Sequence, residues 1–209
     1  MRTDFILDFE TIGQVAYQAP AIDCSYLTFY WDRFTDDPYT FEELIGQAKK
    51  AKLSVKDQMQ NYDFSYKEED LKWWMEQPPE VRRNIKPLDN DLTVVEFMHE
   101  LIDFLRLYQK IDYWWSRANG FDPVVLHHLA LVTNRDRLLN EYLPHWKVRD
   151  TRSFIDAKFN FTTQNGFCPI ADENKWNNIF NAHDSTHDIA ADVMRLQAIH
   201  RAENDLEQV

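Results

Sequence analysis

Long apolar runs are missing from this chain of 209 residues: no stretch approaches the roughly 20 residues of a membrane span. The opening Met1-Arg2-Thr3-Asp4 runs directly into a strand pattern and lacks the profile of a secretory leader. Glycine is scarce, at four residues, and proline stands at eight, which leaves little room for low-complexity linker. No internal repeat is visible. The two cysteines, Cys24 and Cys168, are far apart and have no C-x-x-C partner, so a zinc framework is disfavoured and a reducing compartment is favoured. A cytoplasmic location is expected. P-loop, G-x-G-x-x-G and Ser/His/Asp patterns are absent. Excess positive charge is absent too. The net charge of −12 argues against passive, charge-driven binding of nucleic acid, though not against an enzyme that grips phosphate through metal ions.

What is present suits one well-filled domain over residues 1–209. Hydrophobic residues make up 44% and aromatics 14% of the chain, enough for a large core. Phe5–Phe9 reads as a first strand, Thr11-Ile12-Gly13 as a turn, and Ala21–Trp31 as a second strand paired with the first. Thr40–Lys52 mixes helix composition with room for a third strand, and Ser54–Tyr66 reads as irregular. Lys67–Gln77 reads as a helix stopped by Pro78-Pro79, with a short turn of helix over Pro79–Asn84. Asp89-Asn90-Asp91 offers caps for a helix over Leu92–Gln109, whose apolar residues recur at helical period. Ile111–Ser116 is a buried-strand pattern. Helices are expected over Asp122–Val132, Arg137–Leu143, Thr151–Lys158 and Asp184–Glu203, a short strand over Trp146–Arg149, and a loop over Asn160–Lys175. This order points to an α/β sheet domain with helices on both faces.

The most informative feature is Asp8-Phe9-Glu10, at the end of the first apolar run. On a strand Asp8 and Glu10 share one face, roughly 6.5–7 Å apart at the backbone, with Phe9 on the other. Two carboxylates at that separation can embrace a hard divalent cation, although acids also end strands that merely run into solvent. Asp122, in Gly120-Phe121-Asp122-Pro123, follows a strand and opens a helix; an Asp before Pro is by itself an ordinary cap. Asp188 lies five residues after His183 in Asn181-Ala182-His183-Asp184-Ser185-Thr186-His187-Asp188. A helix starting near Asp184 or Ser185 puts Asp188 in its first turns and leaves His183 just outside, free to swing over a metal site and take a proton from water. His183 and His187 could also form an i, i+4 ligand pair, but the surrounding acids favour a hard-oxygen site. Four carboxylates can hold two divalent ions in the two-metal arrangement for phosphoryl chemistry.

Asp-x-Glu, then Phe-Asp, then His-x₄-Asp, in this order, resembles the DEDDh branch of the 3′–5′ exonucleases, a ribonuclease H-like group. Asp8-Phe9-Glu10-Thr11-Ile12-Gly13, Trp73-Trp74-Met75-Glu76-Gln77, Pro79-Glu80-Val81-Arg82-Arg83-Asn84-Ile85, Arg149-Asp150-Thr151-Arg152 and Ala182–Asp188 further resemble the T-even phage exonucleases and their bacterial exoribonuclease-like relatives. The resemblance implies a ribonuclease H-like mixed sheet flanked by helices. It implies two Mg²⁺, with Mn²⁺ able to substitute, on Asp8, Glu10, Asp122 and Asp188, and His183 as general base. Thr11 and Gly13 would lie near the terminal 3′-OH. The implied partner is the 3′ end of single-stranded DNA or RNA, which would be cut to nucleoside 5′-monophosphates. One departure is that many members carry Asn or His shortly before the second Asp, where this chain reads Arg117-Ala118-Asn119-Gly120-Phe121-Asp122.

Weaker candidates surround this set. Trp73 and Trp74 sit about 100° apart on one helix, so both cannot point the same way; one, with Trp74 as the candidate, could stack on a base, although a core place for both is the plainer reading. Arg82, Arg83 and Lys86 form the densest basic cluster, and Arg149 and Arg152 another; any of them could reach phosphates, although solvated surface or pairing with the abundant acids is the plainer reading for both. Asp184, Asp188 and Asp192 recur on one helix face, which is unfavourable unless a cation or base sits nearby. Two rival functions remain: an HD-type phosphohydrolase using His187-Asp188, which would be all-helical, and a non-catalytic phage protein that binds nucleic acid or protein. A homodimer is left open.

Overall fold

The structure is a computed structural model and describes residues 2–163, 165–172 and 175–207. Its centre is a five-stranded mixed sheet in the order β3-β2-β1-β4-β5. The strands are β1 (Thr3–Thr11), β2 (Ala21–Tyr30), β3 (Lys49–Lys52), β4 (Tyr113–Ser116) and β5 (Val148–Asp150). β1, β2 and β3 pair antiparallel, and β1, β4 and β5 pair parallel. The helices in chain order are α1 (Arg33–Asp36), α2 (Phe41–Gln47), α3 (Val55–Asn61), α4 (Glu68–Met75), α5 (Pro79–Arg82), α6 (Val94–Arg106), α7 (Asp122–Val132), α8 (Asp136–Tyr142), α9 (Thr151–Lys158), α10 (Pro169–Asp172) and α11 (Ser185–Glu207).

The alternation of β1 sorts the core into two layers. Phe5, Leu7 and Phe9 turn to one face, where they meet α6 and α7; Phe9 meets Phe97 edge-on at 5.9 Å. The buried residues Val94, Phe97, Met98, Leu101, Ile102 and Leu105 form the single stripe that binds α6 to this face. Ile6 turns to the other face, with Leu27, Trp115 and the apolar side of α11, including Ile189, Ala190 and Val193. Asp4, Asp8 and Glu10 share the parity of Ile6, so the strand presents three acids to the α11 side. The expected α/β sheet with helices on both faces is therefore present.

Several boundaries differ from the sequence reading, each for a local reason. Thr40–Lys52 holds both candidates: α2, capped by Thr40 at the Glu43 amide, and then β3. Ser54–Tyr66 is not irregular but contains α3, because Ser54 caps the amide of Asp57. α6 starts at Val94 because Thr93 and Glu96 form a reciprocal capping box, not because of Asp89-Asn90-Asp91. The expected loop over Asn160–Lys175 contains α10.

Candidate active site

The strand pairing explains why distant acids meet. β4 runs parallel to β1, so both strands end on the same side of the sheet. The connection after β4 therefore delivers the start of α7 to the end of β1. There Asp122, 4% exposed, does not cap its own helix; its Oδ1 accepts the Phe9 amide at 3.2 Å. α11 is fixed from the other side. Ser25 on β2 bonds the hydroxyls of Ser185 at 2.7 Å and Thr186 at 2.8 Å, and Ser185 donates to Asp23. With its first turn pinned on β2, α11 points Asp188 at β1. Carboxylate oxygens of Asp8, Glu10 and Asp188 lie within 4.8 Å of one another.

Asp4, on the same face of the same strand, supplies an internal comparison. It accepts from Arg2 at 2.6 Å and from the indoles of Trp31 and Trp115 at 2.7 Å each. Among the described residues, neither Asp8 nor Glu10 has a side-chain hydrogen bond or ion pair. Burial, then the charges of Asp122, Asp188 and Glu10, push the Asp8 carboxyl well above its ordinary range. Burial and Asp188 do the same to Glu10. Asp122 and Asp188 are each raised to about 7, first by burial and then, against opposing hydrogen bonds and cations, by neighbouring acids. Such a cluster is costly without cations, and its all-oxygen donor set suits a hard divalent ion.

A fifth acid completes the cluster. Asp192, one helical turn after Asp188 and 2% exposed, contributes to the repulsion felt by Asp8, Asp122 and Asp188. It is compensated by Arg117, by Arg195 at 2.9 Å and by the hydroxyl of Thr151. Its spacing is visible in sequence, but nothing there points to Arg117, 75 positions earlier. Lys50 also escapes a sequence reading: it bonds Asp184 at 2.9 Å and Asp23 at 3.4 Å, bringing one cation to the rim near Glu10.

His183 lies just before α11, as expected, with φ +61°. Its imidazole meets Trp73 edge-on at 5.0 Å, and partial burial holds its pKa below the ordinary histidine value. Thr11 follows Glu10 directly and donates from Oγ1 to the Gly13 carbonyl at 2.8 Å. Gly13 has φ +121°, and a Cβ there would come within 3.2 Å of Asp70. His187 does not pair with His183: its Nδ1 accepts the Asn181 amide and its ring faces Phe41.

One expectation for a secondary contact is corrected. Trp74, expected to offer a face to a base, is 2% exposed and donates from Nε1 to the Thr11 carbonyl at 3.0 Å. The exposed indole is Trp73, at 43%. Arg149 stacks on Tyr113 at 4.2 Å, and Tyr113 pairs with Asp4, four residues or about 13 Å along the strand from Asp8. It is thus held away from the carboxylates. Arg152 is exposed, with its backbone against Gly166 and with no contact to the acids among the described residues.

Comparisons with known proteins agree with this geometry. Residues 3–203 match the family described as the 3′–5′ exoribonuclease Rv2179c-like domain. The chain is also 31% identical over 210 residues to an exodeoxyribonuclease of Enterobacteria phage T4, an alignment covering 93% of this chain and 87% of that protein. The family implies a ribonuclease H-like fold and divalent-metal use, which the mixed sheet and the carboxylate cluster fit. No helix among the described residues is long and apolar enough to cross a membrane. The chain therefore belongs to the Rv2179c-like family of 3′–5′ exonucleases.

Proposed function

We propose that this chain is a DEDDh-type, metal-dependent 3′–5′ exonuclease that shortens single-stranded nucleic acid from the 3′ end and releases nucleoside 5′-monophosphates. The observation that carries this reading is the convergence of Asp8, Glu10 and Asp188 within 4.8 Å, on the strand whose Phe9 amide Asp122 accepts, with no ion pair to Asp8 or Glu10 among the described residues. Asp8, Glu10, Asp122 and Asp188 would hold two Mg²⁺, or Mn²⁺ in their place. When bound, such ions lower the pKa of a water and stabilise a leaving 3′-oxygen.

The remaining roles fall to protein groups. His183 takes the proton from the attacking water; its lowered pKa keeps the imidazole neutral, as a base must be, at neutral pH. Thr11 and Gly13 frame the position of the terminal 3′-OH, with the turn steadied by Trp74. A five-stranded sheet with the acids at its centre gives no support to an all-helical phosphohydrolase reading. The matched family is described by its action on RNA and the phage relative by its action on DNA, so the proposal spans both sugars. Incubating matched single-stranded DNA and RNA with Mg²⁺, Mn²⁺ or EDTA tests it. Metal-dependent shortening of either strand supports the reading and assigns the preferred sugar. An intact pair of strands, with folded protein, overturns it.

A further inference from the structure

In a chain of net charge −12, cations without acidic partners are informative. Many others are committed: Arg33 to Asp37 and Glu43, Lys50 to Asp23 and Asp184, Arg117 to Asp192, Lys158 to Glu203. Arg82, Arg83 and Lys86 are different. They fall within five residues at the end of α5 and along the 3₁₀ turn Arg83–Ile85, and all three are exposed. None has a carboxylate partner among the described residues. In sequence alone solvated surface is the plainer reading of this cluster; the fold puts one member, Arg83, and its neighbour Asn84 in a cavity shared with His183.

Arg83 and Asn84 line one wall of a cavity of about 310 Å³, and Asn181, His183 and Asp184 line the opposite wall. Of the two acids there, Asp184 is taken by Lys50, which leaves Glu80 facing Arg83. The amide of Asn84 also donates to the His183 carbonyl, which ties the segment carrying the cluster to the backbone of the histidine. On the α4 side of His183 stands the exposed ring of Trp73. A partly exposed ring and a guanidinium without a carboxylate partner, one on each side of His183, supply the chemistry of a single-strand track: bases stack and phosphates pair.

We infer that Trp73, Arg82, Arg83 and Lys86 form the track for the part of the substrate strand lying 5′ of the scissile phosphate. This rests on the exonuclease reading: the 3′ end must sit at the carboxylates, so the rest of the strand must leave past His183. The cations hold consecutive backbone phosphates by charge alone, so grip grows with strand length and weakens with salt, without regard to base sequence.

The test compares wild type with the Arg82→Gln/Arg83→Gln/Lys86→Gln variant on a dinucleotide and a decanucleotide across a series of KCl concentrations. Wild type gains kcat/KM with length and loses it steeply with salt. In the variant the decanucleotide KM rises about 10-fold, far more than the dinucleotide KM, and the log–log salt slope shrinks by about 2. An unchanged salt slope and an unchanged length dependence overturn the track. Failure of wild type to cleave either length contradicts the exonuclease reading instead; binding of the decanucleotide in EDTA, wild type against variant, then still decides the track. Should the triple variant fold poorly by circular dichroism, Arg83→Gln alone carries the same comparison with a slope change of about 0.7.

Discussion

The side-chain amide of Asn84 donates to the backbone carbonyl of His183 at 3.1 Å, tying together residues 99 positions apart. His183 needs such a tie because its φ of +61° is an uncommon backbone state for a residue with a Cβ. The tie is itself anchored, since Lys52 on β3 donates to the Asn84 carbonyl. Asn84→Ala should therefore lower kcat by about 10- to 100-fold, with KM and the magnesium-induced rise in Tm unchanged, because among the described residues Asn84 has no bond to a carboxylate of the cluster. His183→Ala should lower turnover further, by about 10²- to 10⁴-fold, and leave the fold intact. Steady-state kinetics with thermal melts check both; near-normal turnover in His183→Ala removes it as the base.

Asp8→Asn should separate stability from activity. It removes one charge from a cluster whose members repel one another and are poorly solvated. Melted in EDTA, the variant should be more stable than wild type by a few degrees, while strand shortening in Mg²⁺ falls at least about 10³-fold. A variant less stable than wild type in EDTA would show that Asp8 is structurally compensated after all.

The stability of the metal-free protein should fall as pH rises. Asp122 and Asp188 have folded-state pKa values raised to about 7, against about 3.9 when unfolded. Between these values the folded chain binds more protons than the unfolded one, so stability decreases with increasing pH. Their contribution is fully present below about pH 4 and is lost as pH passes through about 7. In EDTA, Tm at about pH 6 should exceed Tm at about pH 8, and Mg²⁺ should narrow or reverse the difference, because the ion favours the deprotonated acids. Melting curves at both pH values, with and without Mg²⁺, decide it; a Tm in EDTA that climbs over this interval would contradict the raised values.

The adjacent tryptophans should behave oppositely. Trp74→Phe loses the buried bond to the Thr11 carbonyl and should destabilise the fold by about 1–2 kcal/mol. Trp73→Ala removes an exposed ring and should leave Tm within about 1 °C while raising KM for single strands about 10-fold. Denaturant melts and strand kinetics on the pair test the assignment; a KM effect from Trp74→Phe alone would reverse it.

Local physics makes part of this molecule legible from its residues. The period-two pattern of β1 places Asp8 and Glu10 on one face, and the start of α11 leaves His183 outside the helix. Long-range commitments are not legible in this way. Two indoles about 100° apart on α4 imply that one is inward, but only the Thr11 carbonyl selects Trp74. Asp192 shows its spacing in sequence, while its partners Arg117 and Thr151 come from other elements. Arg149 belongs to a promising basic cluster, yet β5 is the outermost strand and Tyr113 captures the guanidinium. The helix α3 is hidden for a more local reason: its aromatic, polar surroundings mask a cap at Ser54 that the Asp57 amide makes effective.

The most direct test of the central claim is product analysis of 5′-labelled single strands in Mg²⁺, with a free or a blocked 3′ end, using wild type and Asp8→Asn. A 3′–5′ exonuclease acting at Asp8 gives a ladder shortening from the free 3′ end, nucleoside 5′-monophosphates as the released product, no ladder from the blocked strand and none with Asp8→Asn. Equal digestion of the blocked strand, or an unchanged ladder from Asp8→Asn, would contradict it.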